Sequence, residues 1–271
     1  MDQRLKFLRS WGACAVRSGC ILVLELAGTF WEAQSSGFAV CSRCRSVDAL
    51  SYTPSVAVVI PCFNEGRSIA ALVKAVHPVL PDVFVIDDGS GDDTALAAKS
   101  AGARLIRHAA NLGKGAALKD GLRQAWVEEF KFAVTMDGDG QHDPADLPAF
   151  LAAAAADDAD LVIGNRMLGV RSMPWLRRQV NRWMSRRISR RAGTELPDTQ
   201  CGYRLIRLAA WHELELTTSR FEVESEMVLA FLAAGRRVRF VPVRTIYKTE
   251  QSKIHPIRDT VRWFRWWRRK G

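Results

Sequence analysis

The sequence predicts an α/β fold, a three-layer αβα sandwich built around a mostly parallel central sheet. Continuous apolar, β-branched runs such as SVAVVI (55–60) alternate with segments whose apolar residues recur at helical spacing. This alternation indicates right-handed βαβ units. Acidic or polar residues follow the first, second and fourth predicted strands, in CFNE, DDGS and DGDGQ. Because active sites of such sheets lie beyond the carboxyl ends of the strands, we expect these loops to converge on one edge.

The predicted elements alternate from Pro54 onward. Strands are expected at residues 55–60, 83–90, 103–108, 132–137 and 160–166. Helices are expected at residues 64–80, 92–103, 113–130, 145–156 and 174–191. The first of these helices carries one apolar stripe, formed by Ile69, Leu72, Val73 and Val76.

Three regions are predicted along the chain. Residues 1–53 show no sustained period and are expected to be a poorly ordered N-terminal extension. Residues 54–255 form the predicted main domain, and residues 256–271 form a basic, aromatic tail. No stretch has the uninterrupted apolar length of a membrane-spanning helix, and Glu25 inside the best early candidate argues against a signal peptide.

Charge and cysteine content narrow the classes of partner. The net charge of +10 suits a partner that is negatively charged: nucleic acid, anionic lipid or phosphorylated small molecules. The arginines of the chain cluster at residues 177–191 and 258–270. The six cysteines are expected to be free thiols in a reducing compartment. The CSRC pair could bind zinc together with Cys14 and Cys20. This site is disfavoured because Cys14 and Cys20 do not have the spacing of a zinc-binding pair.

The segment VTMDGDGQHDP (134–144) predicts a metal site at the end of the fourth strand. Asp137 and Asp139 stand two residues apart, and the intervening glycine lets both carboxylates face one point. Oxygen ligands of this kind favour Mg²⁺ or Mn²⁺, with Gln141 as a candidate third ligand. A calcium loop is excluded because His142 stands where such a loop requires glycine. The alternative is that these aspartates form an acidic turn exposed to solvent. It is disfavoured because an apolar strand leads directly into them.

Two further loops carry candidate binding residues. Asp88 ends the second strand in VIDDGS, where its carboxylate can accept a hydrogen bond from a base, although these acids can also be helix caps. Lys114 stands between two glycines just before a helix, a position that suits a phosphate group.

Together these segments resemble glycosyltransferase family 2, the inverting, Rossmann-like GT-A enzymes that use nucleotide-diphosphate sugars. The likeness runs from about Val56 to Lys253 and includes VAVVIPCFNEG, VIDDGSGDDT and MDGDGQHDP. Within the family, DTQCGYRLIR, RFEVESEM, YKTEQSK and the IGNRM segment are most similar to dolichyl- or polyprenyl-phosphate sugar synthases.

The resemblance implies three groups of site residues. The nucleoside pocket would be lined by Pro61, Phe63, Glu65 and Asp88. The metal ion and the diphosphate would be held by Asp137, Asp139 and Gln141. Phosphate charge would be met by Lys114, Arg166, Arg204 and Lys253, although Arg204 has pairing with Asp198 as an alternative role.

The expected reaction is metal-dependent transfer of a sugar, with inversion, from a UDP- or GDP-sugar to a lipid-linked acceptor such as polyprenyl phosphate. A phosphate acceptor is already an anion and needs no general base. Transfer to a hydroxyl of a glycan or glycolipid, the alternative, needs a carboxylate, for which Asp198 is the first candidate and Glu224 the second. A nucleotidyltransferase is disfavoured because CFNEG stands where those enzymes carry a glycine-rich basic loop.

The basic tail and the helix at 174–191 predict peripheral contact with an anionic membrane. Four aromatic residues alternate with arginines in the tail: Trp263, Phe264, Trp266 and Trp267. The alternative for the helix is that its apolar stripe packs on the core. We expect a cytoplasmic protein at the inner face of the plasma membrane and no nucleic-acid partner, because the convergent acids would repel a phosphate backbone.

Overall fold

The fold is known from a computed structural model, which describes residues 54–168, 173–246 and 256–270, the last with side chains at 260–269. The predicted N-terminal extension lies outside the described residues, and so do its four cysteines and Lys253.

Seven strands in the described part of the chain form one sheet, in the order β3-β2-β1-β4-β6-β5-β7. The strands are β1 (Val56–Cys62), β2 (Val83–Asp87), β3 (Arg104–Arg107), β4 (Phe132–Thr135), β5 (Leu161–Asn165), β6 (Arg204–Arg207) and β7 (Val238–Pro242). All neighbours pair in parallel except β6, which is antiparallel to both β4 and β5. The predicted mostly parallel sheet is confirmed.

The helices lie between these strands and at the end of the chain. They are α1 (Ile69–Val76), α2 (Thr94–Ser100), α3 (Lys114–Val127), α4 (Leu147–Ala156), α5 (Trp175–Ala192), α6 (Leu208–His212), α7 (Val223–Ala233) and α8 (Pro256–Lys270). Short 3₁₀ turns at Pro144–Asp146 and Arg166–Leu168 precede α4 and follow β5. Crossovers between parallel strands are right-handed, so α1 and α2 lie on one face of the sheet and α3 on the other.

The core lies between the apolar strands of the sheet and the apolar faces of the helices that cover it. All four residues of the predicted stripe on α1 are buried. On the opposite face, Gly121 lets α3 approach the sheet, since a side chain there would begin only 2.5 Å from Val59 and Ile86. The α1 prediction was too long, because the helix ends at Val76, just before Pro78, which lacks a backbone N–H.

The loops after β1, β2 and β4 converge on one edge of the sheet, as predicted. Asn64 N donates to Ser90 Oγ at 2.8 Å, which joins the first loop to the second. Ser68 Oγ donates to the carbonyl oxygen of Gly138 at 2.7 Å, which joins the first loop to the third. Gly138 packs so closely on Cys62 that a Cβ would lie 2.5 Å from its Sγ.

The C-terminal helix α8 packs on the domain through its tryptophans. Trp263 is 2% exposed and donates from Nε1 to Ser225 Oγ at 2.9 Å, while Trp266 is also buried. The prediction that these two residues face a membrane is therefore wrong. Their spacing of three residues places them on one helical face, which is buried against the protein. None of the described helices has the length and apolar character needed to cross a bilayer.

Trp263→Ala is expected to lower the free energy of unfolding by about 3–5 kcal/mol, because it opens a cavity where α8 meets the core. Phe264→Ala is the matched control, since Phe264 is 39% exposed on the same helix and its loss is expected to cost about 1 kcal/mol or less. Urea unfolding of both variants measures the difference. Equal losses would contradict the anchoring role of Trp263.

Candidate active site

The candidate active site lies where β4 ends, and Lys114 is its central charge. Lys114 is the first residue of α3, and its Nζ lies 2.6 Å from Asp137 Oδ1. The same Nζ lies 2.6 Å from Oε1 of Glu224 in the first turn of α7. Three segments that are distant in sequence therefore meet at one ammonium group.

Charge pairing outweighs burial in this cluster. Burial alone would lower the pKa of Lys114, but the carboxylates of Asp137 and Glu224 raise it well above its ordinary value. Burial would likewise raise the pKa of Asp137, but the charge of Lys114 holds it well below the usual range. Lys114 and Asp137 are thus both charged in the folded protein at neutral pH.

Asp139, unlike Asp137 and Glu224, forms no ion pair with Lys114. Its Oδ1 accepts the N–H of Gln141 at 3.0 Å. Burial, together with the nearby charge of Asp137, raises the pKa of Asp139 from 3.8 to about 6. The folded protein therefore holds a carboxylate whose charge is costly, next to another carboxylate that Lys114 already neutralises.

His142 supports the main chain at Asp137. Its Nδ1 accepts the Asp137 N–H at 3.1 Å, and its ring stacks on Tyr203 with 4.9 Å between the centroids. Burial, together with the charges of Arg166 and Lys114, lowers its pKa to about 4, although Asp137 opposes the shift. The imidazole is therefore neutral, with its proton on Nε2, which lies 3.7 Å from Asp137 Oδ2. The sequence analysis did not assign His142 to the site.

Asp88 is at the same edge, but its carboxylate is engaged with the loop before α3. Oδ2 accepts the Gly113 N–H at 2.8 Å, and Oδ1 accepts the Leu112 N–H at 2.9 Å. Oδ1 also lies 2.7 Å from Nδ1 of His108, and Asp88 as a whole is 3% exposed. These contacts fix the loop that leads into Lys114, and the base-binding role of Asp88 stays a prediction.

Asp198 and Arg166 form a buried, bidentate ion pair. Arg166 Nε donates to Oδ2 at 2.8 Å and its Nη2 to Oδ1 at 2.9 Å. Asp198 is 0% exposed. A carboxylate held in this way does not reach a substrate hydroxyl, so the structure gives Asp198 a structural role rather than the predicted role of general base.

Arg204 holds main-chain segments together. Its guanidinium donates to the carbonyl oxygens of Thr199, Cys201 and Glu224 at 2.8–2.9 Å, and the residue is 1% exposed. The alternative that Arg204 pairs with Asp198 is wrong, because Arg166 takes that partner. The predicted phosphate contact is not supported either, since the guanidinium is buried and engaged with carbonyl groups.

The remaining candidates lie around the edge. Phe63, in the loop after β1, is 39% exposed, and the N–H of Glu65 is held by Thr94 Oγ1 at 2.7 Å. Pro61 lines a small cavity beside Lys114. Their contact with a nucleoside stays a prediction.

Gln141 has a neighbour that sequence reasoning missed. Its Oε1 accepts a long hydrogen bond of 3.5 Å from Arg177 in the first turn of α5. A cation on α5 thus faces the predicted metal loop, and the only sequence signal for it was its place in the arginine cluster.

A match to a known family identifies the chain. The sequence profile of the family described as Glycosyl transferase family 2 matches residues 57–214, more than half of the chain. The chain belongs to this family. The protein is therefore a glycosyltransferase, as its sequence motifs predicted.

Relatives of this glycosyltransferase include two named lipid-phosphate enzymes. It is 28% identical to the UDP-N-acetylglucosamine–dolichyl-phosphate N-acetylglucosaminyltransferase of Methanococcus voltae, over 72% of this chain and 86% of that one. It is 29% identical to the undecaprenyl-phosphate mannosyltransferase of Micrococcus luteus, over 69% of this chain and 82% of that one.

A solved structure confirms the GT-A fold. The glycosyltransferase superposes on glucosyl-3-phosphoglycerate synthase from Mycobacterium tuberculosis, solved with Mn²⁺, uridine diphosphate and phosphoglyceric acid, with a TM-score of 0.62. The match covers 78% of this chain and 75% of that one at 17% identity, so it shows the fold alone.

The side chains at the end of β4 fit a hard divalent cation. No group of three or more His, Cys, Asp or Glu side chains in the described ranges is arranged to hold a metal ion. However, Mg²⁺ needs only one or two protein carboxylates when phosphate oxygens and water complete its shell. The charge on the half-buried Asp139, beside Asp137, is the feature that such an ion would offset. The glycosyltransferase therefore has carboxylate donors of the kind that a hard divalent cation takes.

Asp139→Asn is expected to stabilise the metal-free glycosyltransferase by about 1–3 kcal/mol at pH 8. The folded-state pKa of about 6 exceeds the ordinary 3.8, so above pH 6 the charged carboxylate costs the folded state stability. Near pH 4 the group is protonated in the folded state and about half protonated in the unfolded state, so most of the gain disappears. Urea unfolding in chelator at pH 8 and pH 4 tests this, and the same change at both pH values would contradict it.

Proposed function

We propose that this glycosyltransferase transfers a sugar, with inversion, from a UDP- or GDP-sugar to a polyprenyl phosphate in a reaction that requires Mg²⁺ or Mn²⁺. The observation that carries the proposal is the placement of two carboxylates, Asp137 and the half-buried Asp139, at the carboxyl edge of the sheet, where their proximity helps to raise the pKa of Asp139. The names of the relatives, which act on dolichyl phosphate and undecaprenyl phosphate, support the acceptor class. The solved neighbour with Mn²⁺ and uridine diphosphate supports the donor class.

The protein groups at this edge divide the work of the reaction. Asp139, together with Asp137, would hold the metal ion, and Gln141 would be a further oxygen ligand. A bound divalent cation offsets the negative charge that develops on the departing nucleoside diphosphate. Phe63 and the loops around it lie where the nucleoside is expected, beyond the ends of β1 and β2.

The ion pairs of the site favour a phosphate acceptor over a hydroxyl acceptor. Asp198 is fully buried against Arg166, and Glu224 is bound to Lys114 at 2.6 Å. Neither of the two predicted bases is therefore available to remove a proton. An acceptor phosphate needs none, because it attacks the anomeric carbon as an anion from the face opposite the leaving group.

The surface beside the site supports contact with a membrane that carries the acceptor. Leu168, Trp175 and Leu176 are 72%, 71% and 63% exposed around the start of α5. Arg177 follows directly and reaches Gln141 in the metal loop. Exposed apolar side chains beside arginines suit the headgroup region of an anionic bilayer. Further exposed arginines on α5 and α8 add positive charge: Arg186, Arg187, Arg190, Arg191, Arg265, Arg268 and Arg269.

The reaction is tested by release of nucleoside diphosphate from a panel of UDP- and GDP-sugars, with polyprenyl phosphate and Mn²⁺. Turnover is expected to require both the lipid phosphate and the metal ion. Asp139→Asn is expected to lower kcat by on the order of 10²-fold or more, because the ion loses its main protein ligand. Asp93→Asn is the control, since Asp93 is an exposed acid at the start of α2 and should keep full activity. Full activity of Asp139→Asn, or activity in excess chelator, would refute the metal role.

Membrane contact is tested by cosedimentation with vesicles. Binding to vesicles that contain phosphatidylglycerol should exceed binding to phosphatidylcholine vesicles and should weaken with salt. The double variant Trp175→Ser, Leu176→Ser is expected to lose several-fold in vesicle affinity, because it removes apolar area from the contact. Leu96→Ser is the control, since Leu96 is 67% exposed on α2. Equal affinities of both variants would show that the start of α5 is not the contact.

A further inference from the structure

Lys114 was expected to bind phosphate, but its ammonium faces two carboxylates of the protein. Nζ is 2.6 Å from Asp137 Oδ1 and 2.6 Å from Glu224 Oε1. The Lys114 side chain is 17% exposed, that of Asp137 is 29% exposed and that of Glu224 is 10% exposed. One of the two aspartates predicted to hold the metal thus already has a cation of the protein as its partner.

We propose that Lys114 is a positioning residue that acts as a built-in counter-ion for Asp137 and makes metal binding depend on the nucleotide. In the donor-free enzyme, Lys114 neutralises Asp137, so of the two aspartates in this loop Asp139 alone is left to a divalent cation, which binds weakly. With a nucleoside diphosphate, the phosphate oxygens supply the missing negative charge and the ion binds tightly. This inference rests on the proposed function, because it assumes a nucleoside diphosphate at this edge.

The backbone packing around Lys114 fixes the point from which its side chain extends. A Cβ on Gly113 would lie 2.4 Å from the carbonyl oxygen of Ser219, and a Cβ on Gly115 would lie 2.7 Å from the carbonyl carbon of the same residue. The N–H of Ala116 donates to that oxygen at 3.1 Å. The two glycines around Lys114 therefore let the start of α3 press against the segment that leads into α7. Close packing therefore explains why glycines flank Lys114, and a phosphate-binding loop is not needed to explain them.

Glu224 holds the ammonium from the other side. Its Oε1 contacts Nζ, and its carbonyl oxygen accepts a hydrogen bond from Arg204 at 2.9 Å, which fixes the first turn of α7. Lys114 thus makes both ion pairs at once, and the pair with Glu224 keeps its ammonium close to the end of β4. A divalent ion that enters beside Asp137 meets a fixed positive charge, and repulsion between the two lowers its affinity.

Asp139 is left as the carboxylate for the ion. His142 holds Asp137 through the main chain, and the hydrogen bonds of the described residues give Asp139 one partner, the N–H of Gln141. A single carboxylate is a poor site for Mg²⁺ or Mn²⁺ in water, but it suffices when two phosphate groups arrive with the ion. The geometry therefore predicts that metal and nucleotide bind together.

The test measures binding of Mn²⁺ to the purified full chain by the electron paramagnetic resonance signal of free Mn²⁺, without sugar or acceptor. Wild type is expected to bind Mn²⁺ at least about tenfold more tightly with UDP or GDP than alone, after correction for Mn²⁺ bound by the nucleotide itself. Lys114→Gln is expected to bind Mn²⁺ alone at least about tenfold more tightly than wild type, because Asp137 becomes available. Lys114→Arg keeps the charge and should remain weak.

Two matched variants separate the counter-ion role from general disturbance. Lys119→Gln removes the same charge from the same helix, where Nζ donates to the carbonyl oxygen of Leu216, and should leave Mn²⁺ affinity unchanged. Glu224→Gln breaks the other ion pair of the cluster but keeps the ammonium at Asp137, so Mn²⁺ should still bind weakly. Circular dichroism verifies that each variant is folded.

Three outcomes would overturn the inference. One is tight Mn²⁺ binding by wild type without nucleotide, a result that needs no variant and holds even if Lys114→Gln does not fold. Another is equal Mn²⁺ affinity of Lys114→Gln and Lys119→Gln. The last is a gain in affinity from Glu224→Gln as large as that from Lys114→Gln. Failure of sugar transfer would instead refute the proposed function and leave the Mn²⁺ measurements interpretable.

Discussion

The ion pairs of Lys114 with Asp137 and Glu224 are the constraint on which the rest of the site depends. Buried charges are tolerated only when each has a partner, and here one ammonium serves two carboxylates. The pairs tie the start of α3 to the end of β4 and to the first turn of α7. The ion pairs that join these three elements therefore also place the positive charge of Lys114 where a metal ion at the end of β4 would meet it.

The sheet was largely predictable because its central strands are buried on both faces and read as continuous apolar runs. The strand β6 escaped prediction although it has the same four-residue sequence, RLIR, as β3, where a strand was predicted. Arg204 is accommodated there through register, since it lies opposite Thr135 on β4 and Ile163 on β5. Register is a tertiary property, and no periodicity within residues 204–207 reports it.

The location of the site could be predicted from the sequence, but the ion-pair and hydrogen-bond partners of its residues could not. Asp137 and Asp139 follow a buried strand, and that order alone locates the edge. Which arginine pairs with Asp198 depends on how β5 and β6 align, so Arg166 could not be told from Arg204 in the sequence. His142 stands five residues after Asp137, but its role becomes visible only when the chain turns back and Nδ1 meets the Asp137 N–H.

The distribution of charge also bears on how the acceptor must be built. The two carboxylates that were predicted as general bases, Asp198 and Glu224, are each matched by a cation of the protein, so neither is free to take a substrate proton. Positive charge, in contrast, is in excess on α5, where Arg177 reaches the metal loop and the helix carries no acidic residue. An acceptor suited to this surface brings its own negative charge and an apolar body for Trp175 and Leu176. The proposed lipid phosphate has both properties, whereas a glycan hydroxyl has neither and a glycolipid hydroxyl lacks the charge.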